Sequence, residues 1–309
     1  MKIVFMGTPD FAVPSLEKLI VAGHDIQLVI TQPDKKGNRN KIIPSAVKVL
    51  ALEKGLDIAQ PDRIRKDNEL IERLKQLSPD MIIVAAFGQI LPQEVLDIPK
   101  YGCINVHGSL LPKYRGASPM QAAILDGCNE SGVTIMKMEA GLDTGDMISK
   151  ITCDIQGLNI IEVSDLLSVK GAELLIDTIP KIAEGTATFT KQNDAESPYA
   201  GMIKKTDGFT DFCESADLLE RKIRSFYEWP NLYTLLGDLS IKFFKAEVVE
   251  SNNDALPGTV IDVSKDYYTI NCKVGALKVL EQQLQGKKRM SAGDFMRGHK
   301  LRIGDKFGE

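Results

Sequence analysis

Asn105 and His107 stand two residues apart at the end of a segment rich in apolar, strand-forming residues. In a β-strand this spacing puts both side chains on one face of the sheet. The glycines and prolines between Gly108 and Pro119 predict that the strand ends there and that a long, shaped loop follows. An amide donor and an imidazole would then leave the strand together, beside a loop that can surround a ligand. A structural histidine, satisfied within the core, is the alternative interpretation of His107.

Asp143 is a second candidate for chemistry, in a turn-rich segment further along the chain. Gly141 and Gly145 bracket it, directly after the apolar run Gly132–Met138, which predicts another strand. A carboxylate held in a sharp turn at a strand end can point into the same crevice as His107. An Asx-turn, in which Asp143 bonds its own backbone, is the simpler interpretation of this residue alone. The hypothesis with chemical content is that amide, imidazole and carboxylate converge on one point.

Bringing these side chains together requires a sheet whose strands end at a common edge. Ile3–Met6 is a short apolar run followed by a Gly-Thr-Pro loop and the amphipathic segment Pro14–Ala22, which predicts a β-loop-α opening. The apolar run from Met81 to Phe87 predicts a strand covered on both faces. We expect an α/β fold with a doubly wound, mostly parallel, Rossmann-like sheet. The first loop lacks the G-x-G-x-x-G pattern, which disfavours a nicotinamide-dependent enzyme.

The composition is that of an ordinary globular protein, with 43% hydrophobic and 26% charged residues and a net charge of -4. A length of 309 residues favours two domains over one. The five cysteines are odd in number, scattered and without metal-ligand spacing, which indicates free thiols in a reducing compartment. The amino terminus has no signal-peptide pattern, and no apolar run is long enough to span a bilayer. We therefore expect a cytoplasmic protein without a membrane partner. A monomer is the expected oligomeric state, although no sequence pattern determines it.

The sequence pattern changes near residue 190. Residues 190–205 are polar, with a proline and a glycine, and predict a linker between a first domain, 1–189, and a second, 206–309. The second domain contains about five short predicted strands, the last of them near Leu301–Phe307, which favours a small OB-like β-barrel. A small barrel with a basic face is a common way to hold nucleic acid, although many such barrels are only stable folds.

Three groups of basic residues could contact phosphates, although solvated surface loops are the more common interpretation. The first lies in a polar, turn-rich loop after the second predicted strand, the second closes the linker, and the third lies in the barrel. Their members are Lys35, Lys36, Arg39 and Lys41; Lys204 and Lys205; and Lys287, Lys288 and Arg289.

The motifs that carry the candidate residues resemble those of a known superfamily. Asn105–Pro112 has the sequence Asn-Val-His-Gly-Ser-Leu-Leu-Pro, and Leu142–Asp146 has the sequence Leu-Asp-Thr-Gly-Asp. Together they resemble the formyltransferases that use 10-formyltetrahydrofolate. Within that superfamily the chain is similar to the methionyl-tRNA formyltransferases, on the segments Phe5–Phe11, Pro112–Pro119 and Gly286–Met290. This resemblance covers essentially the whole chain.

The chain departs from that family's pattern in three places. Gly37–Lys41 replaces a Gly-Arg-Gly-Lys run, with Arg39 expected in place of the central arginine. Asp211-Phe212 stands where Asp-Trp is usual, and Glu228-Trp229-Pro230 where Pro-Trp-Pro is usual. These departures affect the expected tRNA contacts and leave the expected chemistry intact.

The resemblance implies a catalytic first domain and a tRNA-binding second domain. It implies that Asn105, His107 and Asp143 catalyse transfer of the formyl group from 10-formyltetrahydrofolate to the α-amine of methionyl initiator tRNA, without a metal. The three basic groups above would contact the tRNA. The folate would lie against two loops, made of Phe87, Gly88, Gln89, Ile90 and Leu91, and of Ser109, Leu110, Leu111 and Pro112.

Three other functions remain open at the level of sequence. The same folate chemistry could formylate a small amine, either a purine precursor or an amino sugar. Water could replace the amine, which would make the protein a formyl-folate hydrolase. A non-catalytic RNA-binding module would bind tRNA without regard to folate or to His107.

Overall fold

The structure is a computed structural model that describes residues 1–36, 42–251 and 254–308. The chain forms two compact units. The first consists of Met1–Pro119, Glu130–Asp154 and Ser164–Gly201, and the second of Met120–Asn129, Ile155–Val163 and Met202–Glu309. The boundaries expected from the sequence, with a linker at 190–205, stay a prediction.

Strands and helices alternate through the first two hundred residues. The strands are β1 (Lys2–Gly7), β2 (Asp25–Ile30), β3 (Lys35–Lys36), β4 (Ile42–Ile43), β5 (Ile58–Ala59), β6 (Met81–Ala85), β7 (Cys103–His107), β8 (Arg115–Gly116), β9 (Glu130–Lys137), β10 (Met147–Asp154) and β11 (Tyr199–Ala200). The helices are α1 (Val13–Val21), α2 (Ala46–Glu53), α3 (Asn68–Leu77), α4 (Gln93–Leu96), α5 (Pro119–Leu125) and α6 (Ile160–Ala183).

Seven of these strands form one sheet, in the order β10-β9-β7-β6-β1-β2-β5. The neighbours from β7 to β5 pair in parallel, whereas β9 and β10 add an antiparallel edge. All five residues of β6 and of β7 are buried, as expected for strands with cover on both faces. The predicted α/β class with a mostly parallel, Rossmann-like sheet is confirmed.

The strand order changes direction next to β1, since β2 lies on one side of it and β6 on the other. In open parallel sheets such a switch leaves a crevice at the carboxyl ends of the strands. Gly7 pairs in register with Ala85, and Val84 with Asn105, so β1, β6 and β7 end at the same edge. Ala86 continues β6 in the left-handed region, with a φ of 45°, which turns the chain at that edge.

The second unit is built on antiparallel strands. Its strands are β12 (Leu232–Leu236), β13 (Leu239–Val249), β14 (Val260–Val263), β15 (Tyr268–Asn271), β16 (Ala276–Leu284) and β17 (Met290–Ser291), and its helices after residue 202 include α7 (Ala216–Ser225) and α8 (Ala292–Gly298). The sheet order is β12-β13-β16-β15-β14, with β17 paired to β16.

Residues 305–308 join the two edge strands of this sheet. The Asp305 carbonyl accepts a 2.8 Å hydrogen bond from Val260 at the start of β14, and the Phe307 N–H donates to the Gly258 carbonyl. One residue later, the Gly308 N–H donates to the Leu235 carbonyl of β12 at 2.8 Å. The sheet is thereby closed, as the predicted barrel requires.

The predicted strand near Leu301–Phe307 is a single bridge, between Thr259 and Lys306, and not a regular strand. Three elements of this unit were not predicted: β12, the two-residue strand β17, and α8. β12 follows Trp229-Pro230-Asn231, and its sequence Leu-Tyr-Thr-Leu-Leu does not alternate regularly between apolar and polar residues, so its period is weak. α8 is seven residues long and contains two glycines, although Ser291 caps it by accepting from the Asp294 N–H.

The core of the second unit is rich in aromatic side chains. Phe212, Phe243, Tyr268, Phe295 and Phe307 are buried there. Tyr268 and Phe307 stack with their ring centroids 5.7 Å apart. The segment that closes the sheet therefore also contributes a ring to the core, which ties closure to hydrophobic burial.

Two general expectations can be compared with the structure directly. All five cysteines lie among the described residues, and none of them forms a disulfide. Within the described ranges, no helix combines the length and the apolar character needed to cross a bilayer.

Candidate active site

Asn105 and His107 lie on β7, at the carboxyl end of the parallel part of the sheet. β7 is flanked by β6 and β9, and Asn105 is in register with Val84 on one side and Met136 on the other. Both candidate residues are nearly inaccessible, with 8% and 5% of their surface exposed. Buried polar groups of this kind need partners, so their contacts define what the site can do.

The Asp143 carboxylate lies against both of these side chains. One of its oxygens, Oδ2, is 3.7 Å from Nδ1 of His107, and the other, Oδ1, accepts from Nδ2 of Asn105 at 3.5 Å. The structure therefore brings the three predicted residues together, although 38 residues of chain separate Asn105 from Asp143. The contact to Asn105 is at the long limit of a hydrogen bond, and the contact to His107 is an ion-pair distance slightly beyond it.

The turn that carries Asp143 is held by distant parts of the chain. Asp143 itself has a φ of 54°, a left-handed conformation that costs a residue with a Cβ about 1–2 kcal/mol. Its Oδ2 accepts a 3.0 Å hydrogen bond from the Gly116 N–H. Gln192 donates to the carbonyls of Asp143 and Gly145 at 2.8 and 2.7 Å. The carboxylate thus takes part in long-range contacts, beyond the local Asx-turn considered from the sequence.

The two nitrogens of the His107 ring have different surroundings. Nε2 lies 3.0 Å from the Tyr114 carbonyl oxygen. Because a carbonyl can only accept, Nε2 carries the proton in that contact, and the neutral ring presents the lone pair of Nδ1 towards Asp143. The ring nitrogen that can take up and release a proton in the crevice is therefore Nδ1.

The loop after His107 is anchored on β9. Thr134 donates its hydroxyl to the Ser109 carbonyl at 2.7 Å and accepts from the Leu111 N–H at 3.0 Å. Ser109 in turn donates its hydroxyl to the Lys113 carbonyl at 2.6 Å. The side chains of Ser109 and Leu111 are buried, whereas Leu110 and Pro112 are half-buried. The last two therefore offer the side-chain surface of this loop.

The loop after β6 is anchored on β1 and β2 in a similar way. The Phe87 carbonyl accepts from the hydroxyl of Thr8 at 3.2 Å and from the amide of Gln32 at 3.0 Å. Gly88 follows with a φ of 78°, and a Cβ there would overlap the Gln32 side chain. The Gln32 side chain therefore occupies the space that a Cβ would need, and the positive φ also favours glycine at this position.

Further along the same loop, Gln89 is used to hold the structure. Its side chain accepts from the Ile64 N–H at 2.8 Å and donates to the Pro61 carbonyl at 3.0 Å. Phe87 and Leu91 are buried in the core, whereas Ile90 is 73% exposed. Among the predicted folate contacts of this loop, Ile90 is the apolar side chain that is free to meet a ligand.

The predicted phosphate contacts lie in very different environments. Lys35 is exposed, and Lys36 is the second residue of β3, whereas Arg39 and Lys41 lie outside the described residues. Lys204, Lys205, Lys287 and Lys288 are all exposed.

Arg289 is engaged within the protein. Its guanidinium lies over the rings of Tyr227 and Phe244, 5.1 and 4.7 Å from their centroids, and pairs with the Glu281 carboxylate. This arrangement holds the side chain across the antiparallel sheet and neutralises its charge. Arg289 is consequently a weaker candidate for phosphate binding than its two lysine neighbours.

A surface cavity of about 440 Å³ lies in the second unit. Lys205 and Trp229 line it, together with Tyr233, Lys242 and Gln283. The indole of Trp229 is 54% exposed. A cationic and aromatic lining of this kind suits a nucleotide better than an apolar ligand.

Three residues at the site were not predicted to have a role there. Arg115 donates to Gln192 and to Asp194, at 2.8 Å in each case, and Gln192 holds the Asp143 turn as described above. Gln192 and Asp194 lie in the polar segment interpreted as a linker, which has no periodic pattern. Arg115 was part of a motif that carried the resemblance, and that motif was the available signal.

No group of three or more metal-ligating side chains occurs among the residues that the structure describes.

Comparison with known proteins assigns the family. The sequence model described as formyl transferase matches residues 1–175, and the model of the formyl transferase C-terminal domain matches residues 202–300. The methionyl-tRNA formyltransferase of Lachnospira eligens is 47% identical over 317 residues, with all of both chains covered. That of Geobacter metallireducens is 43% identical, covering 100% of this chain and 99% of the relative. The chain belongs to the methionyl-tRNA formyltransferase family.

Several solved structures share the fold of this chain at low sequence identity. An N-formyltransferase from Helicobacter canadensis, in complex with folinic acid and dTDP-3-aminofucose, is 20% identical with a TM-score of 0.66, covering 90% of this chain and 98% of that one. HypX from Aquifex aeolicus, in complex with tetrahydrofolic acid, is 16% identical with a TM-score of 0.62 and covers 96% of this chain. The chain spans about half of HypX, 47% of its length.

Proposed function

We propose that this protein transfers the formyl group of 10-formyltetrahydrofolate to the α-amine of methionyl initiator tRNA. One observation carries the proposal: Asn105, His107 and Asp143 meet at the carboxyl end of the parallel sheet, in a chain of this family. An amide donor, an imidazole and a carboxylate at one point suit the transfer of an acyl group to an amine.

The amide of Asn105 is placed to stabilise negative charge. As the amine adds to the formyl carbon, charge develops on the formyl oxygen. Nδ2 of Asn105 has two N–H groups, one of which lies towards Asp143, and the other is available to that oxygen. A protonated Nδ1 of His107 is the second donor. Preorganised donors of this kind contribute about 3–4 kcal/mol each.

The reaction also moves one proton from nitrogen to nitrogen. The attacking amine loses a proton when the new C–N bond forms, and N10 of the folate gains one when the old C–N bond breaks. Asp143 and Nδ1 of His107, 3.7 Å apart, form a pair that can accept the first proton and release the second, directly or through a water. The amine is itself the nucleophile, so the chemistry needs neither a side-chain nucleophile nor a metal.

The folate is proposed to bind along the two loops at the carboxyl ends of β6 and β7. Phe87, Leu91, Ser109 and Leu111 have buried side chains, so they would contribute main-chain atoms. Gly88 lets the Gln32 side chain pack against the first loop, and Ile90 gives that loop an exposed apolar side chain. Two structural neighbours that contain tetrahydrofolic or folinic acid support this class of ligand.

The tRNA is proposed to contact lysines of both units. Lys204, Lys205, Lys287 and Lys288 are exposed in the second unit, and Lys35 is exposed in the first. Exposed lysines bind phosphates through charge and carry little sequence information. The proposed set is completed by Lys36, by Arg289 beside its two lysine neighbours, and by Arg39 and Lys41, which lie outside the described residues.

A product assay tests this function. Purified protein is incubated with 10-formyltetrahydrofolate and methionyl initiator tRNA, and N-formylmethionyl-tRNA is measured after deacylation and chromatography. Parallel reactions replace the tRNA with a purine precursor amine, with a nucleotide-linked amino sugar, or with water alone. Formylation of the tRNA with at least a hundredfold preference over the small amines is the expected result. Preferred formylation of a small amine, or formate release without an acceptor, would contradict the assignment.

A further inference from the structure

The polar segment after α6 is bound to the candidate active site along its length. Thr190 and Met147 exchange two main-chain hydrogen bonds, of 2.9 and 2.8 Å, at the start of β10. Ten residues later, β11 pairs in parallel with β8, so that Tyr199 is in register with Arg115 and Ala200 with Gly116. These residues all belong to the first compact unit. The segment between the two anchors therefore has a fixed place beside the Asp143 turn.

Gln192 lies between these anchors, and its amide is fully used. Its Nε2 donates to the carbonyl of Asp143 at 2.8 Å and to that of Gly145 at 2.7 Å, while its Oε1 accepts from Nε of Arg115 at 2.8 Å. Carbonyl oxygens can only accept and the guanidinium can only donate, so the orientation of the amide is determined. Two donors of one side chain thereby bracket the turn, one on Asp143 and one two residues after it.

We propose that Gln192 is a positioning residue for the formyl transfer, which holds the turn that presents the Asp143 carboxylate to His107 and Asn105. The inference rests on the proposed function, since it assigns a role in that reaction. Asp143 has a φ of 54°, and unusual backbone persists only where the surroundings over-determine it. The two hydrogen bonds from Gln192, together with the Gly116 N–H on the carboxylate, supply that restraint.

Arg115 orients Gln192 from the opposite side. Arg115 is 9% exposed, and its guanidinium donates from Nε to Gln192 and from Nη1 to Asp194. A continuous set of contacts therefore runs from Asp194 through Arg115 and Gln192 to Asp143. A buried cation that lost either partner would be costly, which explains why this amide is held from both ends.

The restraint on the Asp143 turn should affect the rate of formyl transfer because the contacts of the carboxylate are long. Asp143 lies 3.7 Å from His107 and 3.5 Å from Asn105, so a small displacement would break both contacts. A displacement of about 1 Å from outside the reacting groups can lower a rate by about a hundredfold. Neither substrate is expected to touch Gln192, so binding should be affected much less than turnover.

Gln192→Glu is the decisive variant. It keeps the size and the acceptor for Arg115, but it replaces both donors with an oxygen that faces two carbonyls. We expect kcat to fall about ten- to a hundredfold, with KM for the folate and for the tRNA changed by less than threefold. Asn193→Ala is the matched control, because that neighbouring amide bonds Glu196 and the Ala195 N–H within its own short turn. It should retain wild-type kcat.

A double-variant cycle separates positioning from a general structural role. If Gln192 acts through Asp143, Gln192→Glu combined with Asp143→Asn should be no slower than Asp143→Asn alone. Multiplicative losses, an effect on KM alone, or wild-type kcat in Gln192→Glu would each overturn the proposal. Thermal melting accompanies every variant, and Gln192→Met replaces Gln192→Glu if the latter does not fold. Failure of both to fold would assign Gln192 to stability and would also overturn the proposal.

The same assay distinguishes this inference from the proposed function. All variants are measured with whichever amine the wild-type protein formylates. Turnover of a small amine by the wild type would contradict the tRNA assignment and would leave the Gln192 comparison intact. A wild type that turns over tRNA together with a Gln192→Glu variant of equal kcat would contradict the positioning role alone.

Discussion

At the scale of single residues, the site depends on the different roles of the two nitrogens of His107. The Tyr114 carbonyl binds Nε2 at 3.0 Å, which leaves Nδ1 to the crevice and to Asp143. The ring is therefore held in one orientation without any contribution from substrate. Asp143 is the group that can stabilise a positive charge on this ring, and each of the two residues should be ineffective without the other.

This pairing leads to a prediction for His107→Ala and Asp143→Asn. Each should lower kcat by about 10²–10⁴, the range for loss of a general acid or base, because each removes one end of the proton path. Affinity for methionyl-tRNA, measured by filter binding, should stay within twofold of wild type. Turnover near the wild-type rate in either variant would show that the proton path runs elsewhere.

Cysteine reactivity gives a second prediction at this scale. Burial raises the pKa of the Cys103 and Cys272 thiols to about 12, because the charged thiolate is disfavoured away from water. A raised pKa means that these groups stay protonated, and hence unreactive, up to high pH. Cys213 is exposed. At pH 8, mass spectrometry after brief alkylation should find Cys213 modified first and Cys103 and Cys272 protected until denaturant is added.

At the scale of elements, the turn between β9 and β10 is the critical connection. The N–H of Lys137, at the end of β9, donates to the Asp146 carbonyl at 2.9 Å. Gly145 packs so closely that a Cβ on it would overlap the carbonyl oxygen of Lys137. The turn can be this tight because position 145 has no side chain.

Gly145→Ala should therefore move Asp143 and lower kcat. We expect a loss of about tenfold or more, together with a destabilisation of about 1–3 kcal/mol from the forced backbone shift. Gly298→Ala is the control, because a Cβ there meets nothing within 4 Å. Steady-state rates and urea unfolding measure the two effects. Unchanged kcat in Gly145→Ala would show that the turn tolerates the shift.

Much of the first sheet could be predicted from sequence because its strands are short apolar runs separated by glycine-rich turns. The predicted strands Ile3–Met6 and Gly132–Met138 agree with Lys2–Gly7 and Glu130–Lys137 to within about two residues at each end. Asn105 and His107 could be placed together because side chains two residues apart in a strand lie on the same face of the sheet. Their meeting with Asp143 could be proposed because both segments end predicted strands.

The role of the segment around Gln192 could not be predicted, for a physical reason. A hydrogen bond between residues 49 positions apart produces no periodic pattern in the local sequence. In addition, a polar stretch that contains proline has the composition of a linker. β12 was missed for a different reason, because its sequence Leu-Tyr-Thr-Leu-Leu lacks a regular apolar and polar alternation and Trp229-Pro230 stands just before it. Long-range polar contacts become visible only once the sheet has fixed where each turn lies.

At the scale of the whole molecule, the single tryptophan offers a direct report on RNA binding. Trp229 lines the same cavity as Lys205. Methionyl-tRNA should therefore change the intrinsic fluorescence of Trp229 in a saturable way. A titration that leaves the emission unchanged, at concentrations that saturate turnover, would place the RNA away from this cavity.

The salt dependence of the same titration tests individual lysines. Replacing Lys205 with alanine should remove about one phosphate contact, and the slope of log affinity against log salt should become shallower by about 0.7–0.9. Lys181→Ala, an exposed lysine outside the predicted set, is the matched control. An equal change in both variants would indicate bulk charge and not a contact at Lys205.

Residues 305–308 join the two edge strands of the second unit, so damage to this short segment would expose both edges. These four residues hydrogen-bond to the edge of the sheet at the start of β14 and to its other edge at β12. A protease cut or a frameshift there would uncover both edges at once and withdraw the Phe307 ring from the interior. Uncovered edges are templates for pairing with another chain, so the expected fate of such a product is self-association and not mere loosening.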